Sequence, residues 1–410
     1  MLAFSGCTAS SDDMSERAVR DSAGITIVES RLPASDRLRI EPLPVVTIGE
    51  SEGEEPYLLS YVRSVLMLDD GRILIADGSD RRIRIFDANG VYLESFGGSG
   101  QGPGEFGGSI QSILSYRGDS IAVVQLSGRP IHIFDGSGQY GRRVVPQYDF
   151  SPSPTRPPSS GCCRVLASFP DGGWLVEYPE VTAQEGPELR RGESQLVRVS
   201  AEGEVVADIG TFPGSLRHEV TTELRRMGFA GNLFSLLLRG DFVAAVNGDR
   251  ILVGGDGEFR VDELGLEGRL VRSLRIDVEP AAFTAEDQQA YADAYRRWII
   301  GMDGMILPVN EAVMRAQFEN LPDRVPAYQR IMTDPAGRIW LSSSAVPLLL
   351  YGAYRALVLD SDGAVLGDVE FPPGFAPRQV GRDRVLGLVT DSMGVSRVMV
   401  HRVVASSGSH

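Results

Sequence analysis

Histidine and cysteine are scarce in this chain of 410 residues, with four of the first and three of the second. His132, His218, His401 and His410 lie far apart, which speaks against a linear three-histidine zinc motif, although ligands drawn from different repeats would leave no such motif. Three cysteines provide no paired-cysteine metal motif. Gly-x-Ser-x-Gly elbows and phosphate-cradling loops are also missing, which removes the commonest local signatures of a serine hydrolase or nucleotide enzyme. No apolar run reaches eighteen residues; the longest, such as 346–350, are strand-sized, so no segment reads as a membrane-spanning helix. An excess of basic charge is lacking too. The formal charge is −15, from 55 acidic against 40 basic residues, and such a field repels nucleic acid and anionic membrane surfaces.

Glycine is plentiful, at 47 residues, with 24 prolines, and both are spread over turn positions rather than gathered in blocks. That distribution suits many short strands. A repeat organises them: a turn with Gly or Asp, an apolar strand, a further strand and a second turn. The first half recurs six times, at 69–77, 117–124, 170–176, 247–253, 335–341 and 381–388. The second half is strand, glycine turn and strand. It occurs at 82–94 and again around Phe134-Asp135-Gly136, 199–203, 266–268 and 359–363.

Each unit reads as a four-stranded antiparallel meander, and six of them predict an all-β, six-bladed β-propeller. The last unit has only 396–404 as its third strand. The unclaimed segment 43–49 is expected to supply the missing strand and close the ring, removing an exposed edge, with 24–29 packed beside it.

Spacing between units is uneven on either side of the fourth, which predicts helical insertions at about 213–240 and 283–326 within a propeller spanning 24–404. The first holds helical pieces at 219–227 and 233–238. The second opens on a capping box, Thr284 with Asp287, and continues with helical periodicity through Tyr291, Tyr295 and Trp298. Its apolar faces fit a lid on one propeller face or a simple cover for apolar surface.

Phe96-Gly97-Gly98-Ser99-Gly100-Gln101-Gly102-Pro103-Gly104-Glu105-Phe106 resembles the blade-connecting motif of bacterial NHL-type six-bladed propeller proteins, and Val19 to Ile25 is similar to their N-terminal segment. The resemblance implies the fold and a cell-envelope location, in the periplasm, at the outer membrane or outside the cell, rather than an activity. Leu2-Ala3-Phe4-Ser5-Gly6-Cys7 is likewise similar to the end of a bacterial lipoprotein signal, with Phe4 where Leu is usual and most of the apolar and charged signal missing. On that reading residues 1–23 are a leader and linker with lipid on Cys7; the alternative is a short disordered leader. Residues 405–410 form a tail. Cys162 and Cys163 then remain, as a vicinal disulfide or as two unpaired thiols.

Polar residues recur near the start of the strand preceding each first-half turn, the strand that lies nearest the channel of a propeller. Arg63, Gln111, Arg164, Arg330 and Arg378 would form a positive ring suited to a carboxylate, a phosphate or an acidic glycan, with Trp298 of the lid as a further ligand contact. The alternative is that neighbouring Asp or Glu residues neutralise them. Asp77 and Asp80 read as turn-capping carboxylates, and Asp69-Asp70 and Asp360 to Asp362 as turn formers without calcium-loop spacing. The functional expectation is a monomeric, non-enzymatic envelope propeller without cofactor. It would bind an anionic small molecule, a glycan or a peptide or protein partner, and touch membrane only through an N-terminal lipid. The alternative is a calcium-dependent lactonase- or esterase-like hydrolase or lyase with the ion in the central channel.

Overall fold

The computed structural model describes residues 17–126, 130–146, 163–184, 189–227, 233–236, 238, 242–255, 257–303, 308–344, 354–391 and 394–406. Cys7 and Cys162 lie outside them. Strands dominate and assemble into six separate antiparallel blades. From the channel outward, blade 1 is Val62–Met67, Ile73–Asp77, Arg82–Phe86 and Tyr92–Gly97; blade 2 is Ile110–Tyr116, Ser120–Gln125, Ile131–Phe134 and Tyr140–Val144. Blade 3 is Arg164–Ser168, Trp174–Gln184, Leu189–Val199 and Val205–Glu219, and blade 4 is Val243–Asn247, Arg250–Gly254, Arg260–Leu264 and Leu270–Ile276. Blade 5 contains Arg330–Thr333, Ile339–Ser344, Tyr354–Leu359 and Val365–Glu370; blade 6 contains Ala376–Val380, Arg384–Thr390 and Ser396–Ala405.

The third-to-fourth-strand turns share one local device. Asp87, Asp135 and Asp360 each accept the amides two and four residues on, at 2.8–2.9 Å, and a glycine at the third following position takes a positive φ. The carboxylate thus replaces the ladder bonds a tight turn cannot make, and glycine accepts the left-handed backbone without a Cβ clash. In blade 2 that glycine is Gly138 (φ 80°), two residues past the Gly136 on which the repeat was centred.

Between blades, apolar side chains from facing strands pack into successive cores, the blade 1–2 core for example joining Leu74, Ile83 and Ile85 to Ile113, Ile121 and Phe134. Polar stitches join the inner strands. Gln379 accepts the Met67 amide at 2.7 Å and donates to its carbonyl at 3.0 Å, Ser64 Oγ accepts the Ile113 amide, and Ser168 Oγ donates to Ser115 O. These bonds pair end with end and middle with middle, so the inner strands of blades 6, 1, 2 and 3 run the same way along the channel.

The ring closes as expected: Val46–Ile48 pairs with Val398–Val400, and Leu38–Ile40 pairs with the following residues Val403–Ala405. The upstream strand does not lie beside it. Ile25–Ser30 instead joins the outer strand of blade 4 in parallel, with Arg17–Ser22 paired outside it. Asp36 then accepts the Asp368 amide and Arg37 N bonds Leu366 O on blade 5 before the chain reaches blade 6. This segment therefore covers the outer edges of three consecutive blades, edges that would otherwise present open backbone groups.

Alternating strand direction sends the second-to-third-strand loops and the connections between blades to one face, here the upper. Both insertions fall there. One carries α1 (Thr222–Arg226), and the other carries α2 (Ala285–Asp303) and α3 (Pro308–Glu319). Thr284 caps α2 with the reciprocal bonds of a capping box, Thr284 N to Asp287 Oδ2 at 3.0 Å and Asp287 N to Thr284 Oγ1 at 3.2 Å. Phe283, Tyr291 and Leu321 form a small core of their own with Leu238. The piece expected to be helical from 233 differs: Leu233–Ser235 is a strand paired with Arg217, His218 and Glu219. A segment this short carries no period, and the long edge of blade 3 decides its conformation.

Candidate ligand-binding site at the upper channel mouth

The inner strands begin at the upper face, and there the ladder is broken in four blades by one extra residue. Val62 pairs with Asp77 and Ser64 with Ala76, leaving Arg63 bulged; Gln111, Leu166 and Arg378 occupy the same position in blades 2, 3 and 6. A bulge frees a side chain from the two-residue alternation of its strand and turns it elsewhere, which is why bulges gather at binding sites. Three of the five sequence-identified ring residues are therefore bulge residues. Arg330 opens the inner strand of blade 5, so blades 5, 6, 1 and 2 contribute Arg330, Arg378, Arg63 and Gln111 as a polar crescent. Blades 3 and 4 contribute Leu166 and the unbulged strand Val243–Asn247, of which Val243, Ala244, Ala245 and Val246 pack between blades.

Charge around the mouth is uneven. Arg164 stands opposite Glu177 in the register, and its Nε and a terminal nitrogen meet Glu177 Oε2 at 2.6 and 2.5 Å. Ser194 Oγ donates to Oε1 at 2.7 Å, so the buried carboxylate is satisfied and Arg164 is neutralised. Arg63 donates to Ile110 O at 3.3 Å and Tyr61 Oη at 2.7 Å, with its guanidinium 5.1 Å from the Tyr61 ring centre. Gly78 makes room for this pair, since a Cβ there would stand 2.7 Å from Arg63 Cγ and 2.8 Å from the Tyr61 ring. Arg330 donates to Pro377 O at 2.9 Å. Among the described residues, no carboxylate pairs with Arg63, Arg330 or Arg378.

Burial, and then the neighbouring Arg378 charge, push the Arg330 pKa down to about 10. Arg378 is itself lowered by the protein packed around it, although its side chain is open to solvent. Surrounded yet reachable describes a channel-lining group. Only an ionised Tyr354 phenolate would favour the charged form of both. Nearby, Gln111 Oε1 is buried without a hydrogen-bond partner among the described residues, an acceptor left unmet at a cost of about 1–3 kcal/mol.

Other sequence candidates have structural partners or fall elsewhere. Asp77 and Asp80 belong to an ion network around buried Arg84, with Glu55 3.0 Å and Asp80 2.8 Å from it. Burial raises the Asp77 carboxyl, but bonds from Ser79 and Ser60 and the Arg84 charge outweigh it and hold the pKa below its ordinary value. Trp298 lies on α2, and its side chain is outside the described residues. Cys163 is buried in the core between blades 2 and 3. His132, His218 and His401 are all buried and separate. Among the described residues no group of three or more His, Cys, Asp or Glu side chains is placed to hold a metal ion. No described helix is long and apolar enough to cross a membrane. Sequence reading missed Glu177, Tyr61 and Tyr354. Only Glu177 carried a signal, because a hairpin turning at Gly172 sets it across from Arg164.

The model of the DUF5128 family, described as a 6-bladed beta-propeller, matches residues 35–151. No curated protein matches the chain. Among solved structures, a member of the DUF4221 family from Bacteroides vulgatus is 11% identical with a TM-score of 0.50, over 90% of this chain and 99% of that one. BF0058 of Bacteroides fragilis is 10% identical with a TM-score of 0.47, over 93% and 100%. Virginiamycin B lyase of Staphylococcus aureus is 9% identical with a TM-score of 0.40, over 90% and 99%. Identities this low are likenesses of fold alone.

Proposed function

We propose that this six-bladed propeller is a non-catalytic binding module of the bacterial cell envelope that takes the anionic group of a ligand at its upper channel mouth. The observation that carries the reading is the set of three arginines, Arg63, Arg330 and Arg378, gathered at one end of the channel with no carboxylate partner among the described residues. A cation packed among protein atoms, as Arg330 is, attracts an anion more strongly than a fully solvated one, and guanidinium forks match carboxylate or phosphate oxygens. The protein as a whole is acidic, so the positive mouth is a local exception that selects where an anion can bind. The NHL-like motif and the sequence around Cys7 support the envelope placement.

Thermal unfolding in graded citrate and sulfate at fixed ionic strength tests this reading. A ligand held only by the folded state raises stability by about 2.7 kcal/mol at a hundred times its Kd. The midpoint is expected to rise and saturate in the native protein, and to stay flat in Arg330→Gln/Arg378→Gln. An equal rise in both, or none in either, refutes the assignment.

A further inference from the structure

A second recess opens on the same face, between blades 3 and 4, with a volume of about 300 Å³. Its floor is aromatic: Phe212 stacks on Phe242, ring centres 5.4 Å apart and planes 20° from parallel. One wall is the glycine-rich loop after the second strand of blade 4. A Cβ built on Gly255 or Gly257 meets nothing within 4 Å, and neither has the positive φ that would demand glycine, so that wall is open space rather than tight packing. Gly254 differs, because a side chain there would collide with the buried Tyr328 hydroxyl.

Among the described residues the rim carries charges of both signs, Arg191 and Arg260 beside Glu258 and Asp262. Asp262 clamps Arg260 through two bonds, at 3.0 and 2.7 Å, and Ser273 Oγ holds the carboxylate at 2.7 Å, so this planar pair is fixed before any ligand arrives. Such a mixture singles out neither an anion nor a cation. It does present donors and acceptors around an apolar floor, the arrangement that suits a flat, uncharged ring with hydroxyls at its edge. The size lies at the lower end of small-ligand sites and suits about one ring.

We infer that this recess binds a neutral pyranose ring of a glycan, its apolar face against Phe212 and its hydroxyls on the Arg260–Asp262 pair. The site is separate from the channel mouth, and the two can fail independently.

The test is an array of neutral and acidic oligosaccharides probed with the whole protein, followed by titration of the strongest neutral binder. Gly255→Leu, with Gly257→Leu as a second variant should the first lower the unfolding midpoint, fills the recess without touching Phe212 or Arg260. The expected result is neutral-glycan binding that falls at least about tenfold in the filled variant and is unchanged in Arg378→Gln. Binding of acidic glycans only, absence of any neutral binder, or full affinity in both filled variants overturns the inference.

Discussion

Changing Glu177 to Gln should weaken the fold and strengthen the site at once. Glu177 is 2% exposed, whereas the Arg164 side chain it holds is 53% exposed. Glutamine keeps the shape and the acceptor for Ser194 Oγ but removes the charge that fixes Arg164. A hydrogen bond to a charged group contributes about 1.5–3 kcal/mol, and that is the expected loss. The larger penalty of about 3–5 kcal/mol for stranding a buried charge does not apply, because the released guanidinium can turn into water. Glu177→Ala should cost about 1–3 kcal/mol more, since the buried Ser194 hydroxyl then loses its acceptor. Urea unfolding at neutral pH measures both, and urea, being uncharged, leaves the electrostatics unscreened. The functional half follows from charge count: Arg164 becomes a fourth unpaired arginine at the mouth, and citrate should bind more tightly to Glu177→Gln than to the native protein. A variant as stable as the native protein with the same citrate affinity would refute the reasoning.

Ile48→Ala, at a fully buried position of the closing strand, should cost about 2–5 kcal/mol, measured as a fall in the urea midpoint; a loss under about 1 kcal/mol would mean the strand does not close the ring. His132 and His401 are held neutral by burial, with Arg143 adding to the effect at His132, so their folded pKa values lie below the unfolded one. The unfolded chain then binds the extra protons: stability is full above about pH 6.5 and declines as pH falls below it, a decline that His132→Asn/His401→Asn should flatten and that refutes the account if it persists unchanged. EDTA and added calcium should leave the thermal midpoint where it is, because the described residues gather no metal-binding cluster. A drop with EDTA that calcium restores would contradict this and favour the catalytic alternative.

The propeller was legible because its information is local and repeated. Each Asp-to-Gly turn satisfies its own backbone, so Asp87, Asp135 and Asp360 announce a hairpin without reference to the rest of the chain. The site was half legible. Residue type and spacing found Arg63, Gln111 and Arg378, but the bulges that aim them are a property of strand pairing and leave no mark in one strand alone. Arg164 illustrates the converse: it matches its neighbours in type and position, and only the partner strand shows that Glu177 neutralises it. The destination of Ile25–Ser30 was hidden for a similar reason, since an edge strand accepts either an antiparallel or a parallel neighbour and the choice lies in the path the chain takes around blades 4 to 6.

Anion binding at the upper channel mouth by Arg63, Arg330 and Arg378 is tested most directly by anomalous scattering from a crystal soaked in selenate or bromide. A peak is expected at the upper channel mouth within hydrogen-bonding reach of these guanidinium groups, absent in Arg330→Gln/Arg378→Gln crystals. An empty mouth in the native protein, with anions bound at other surface arginines, would contradict it.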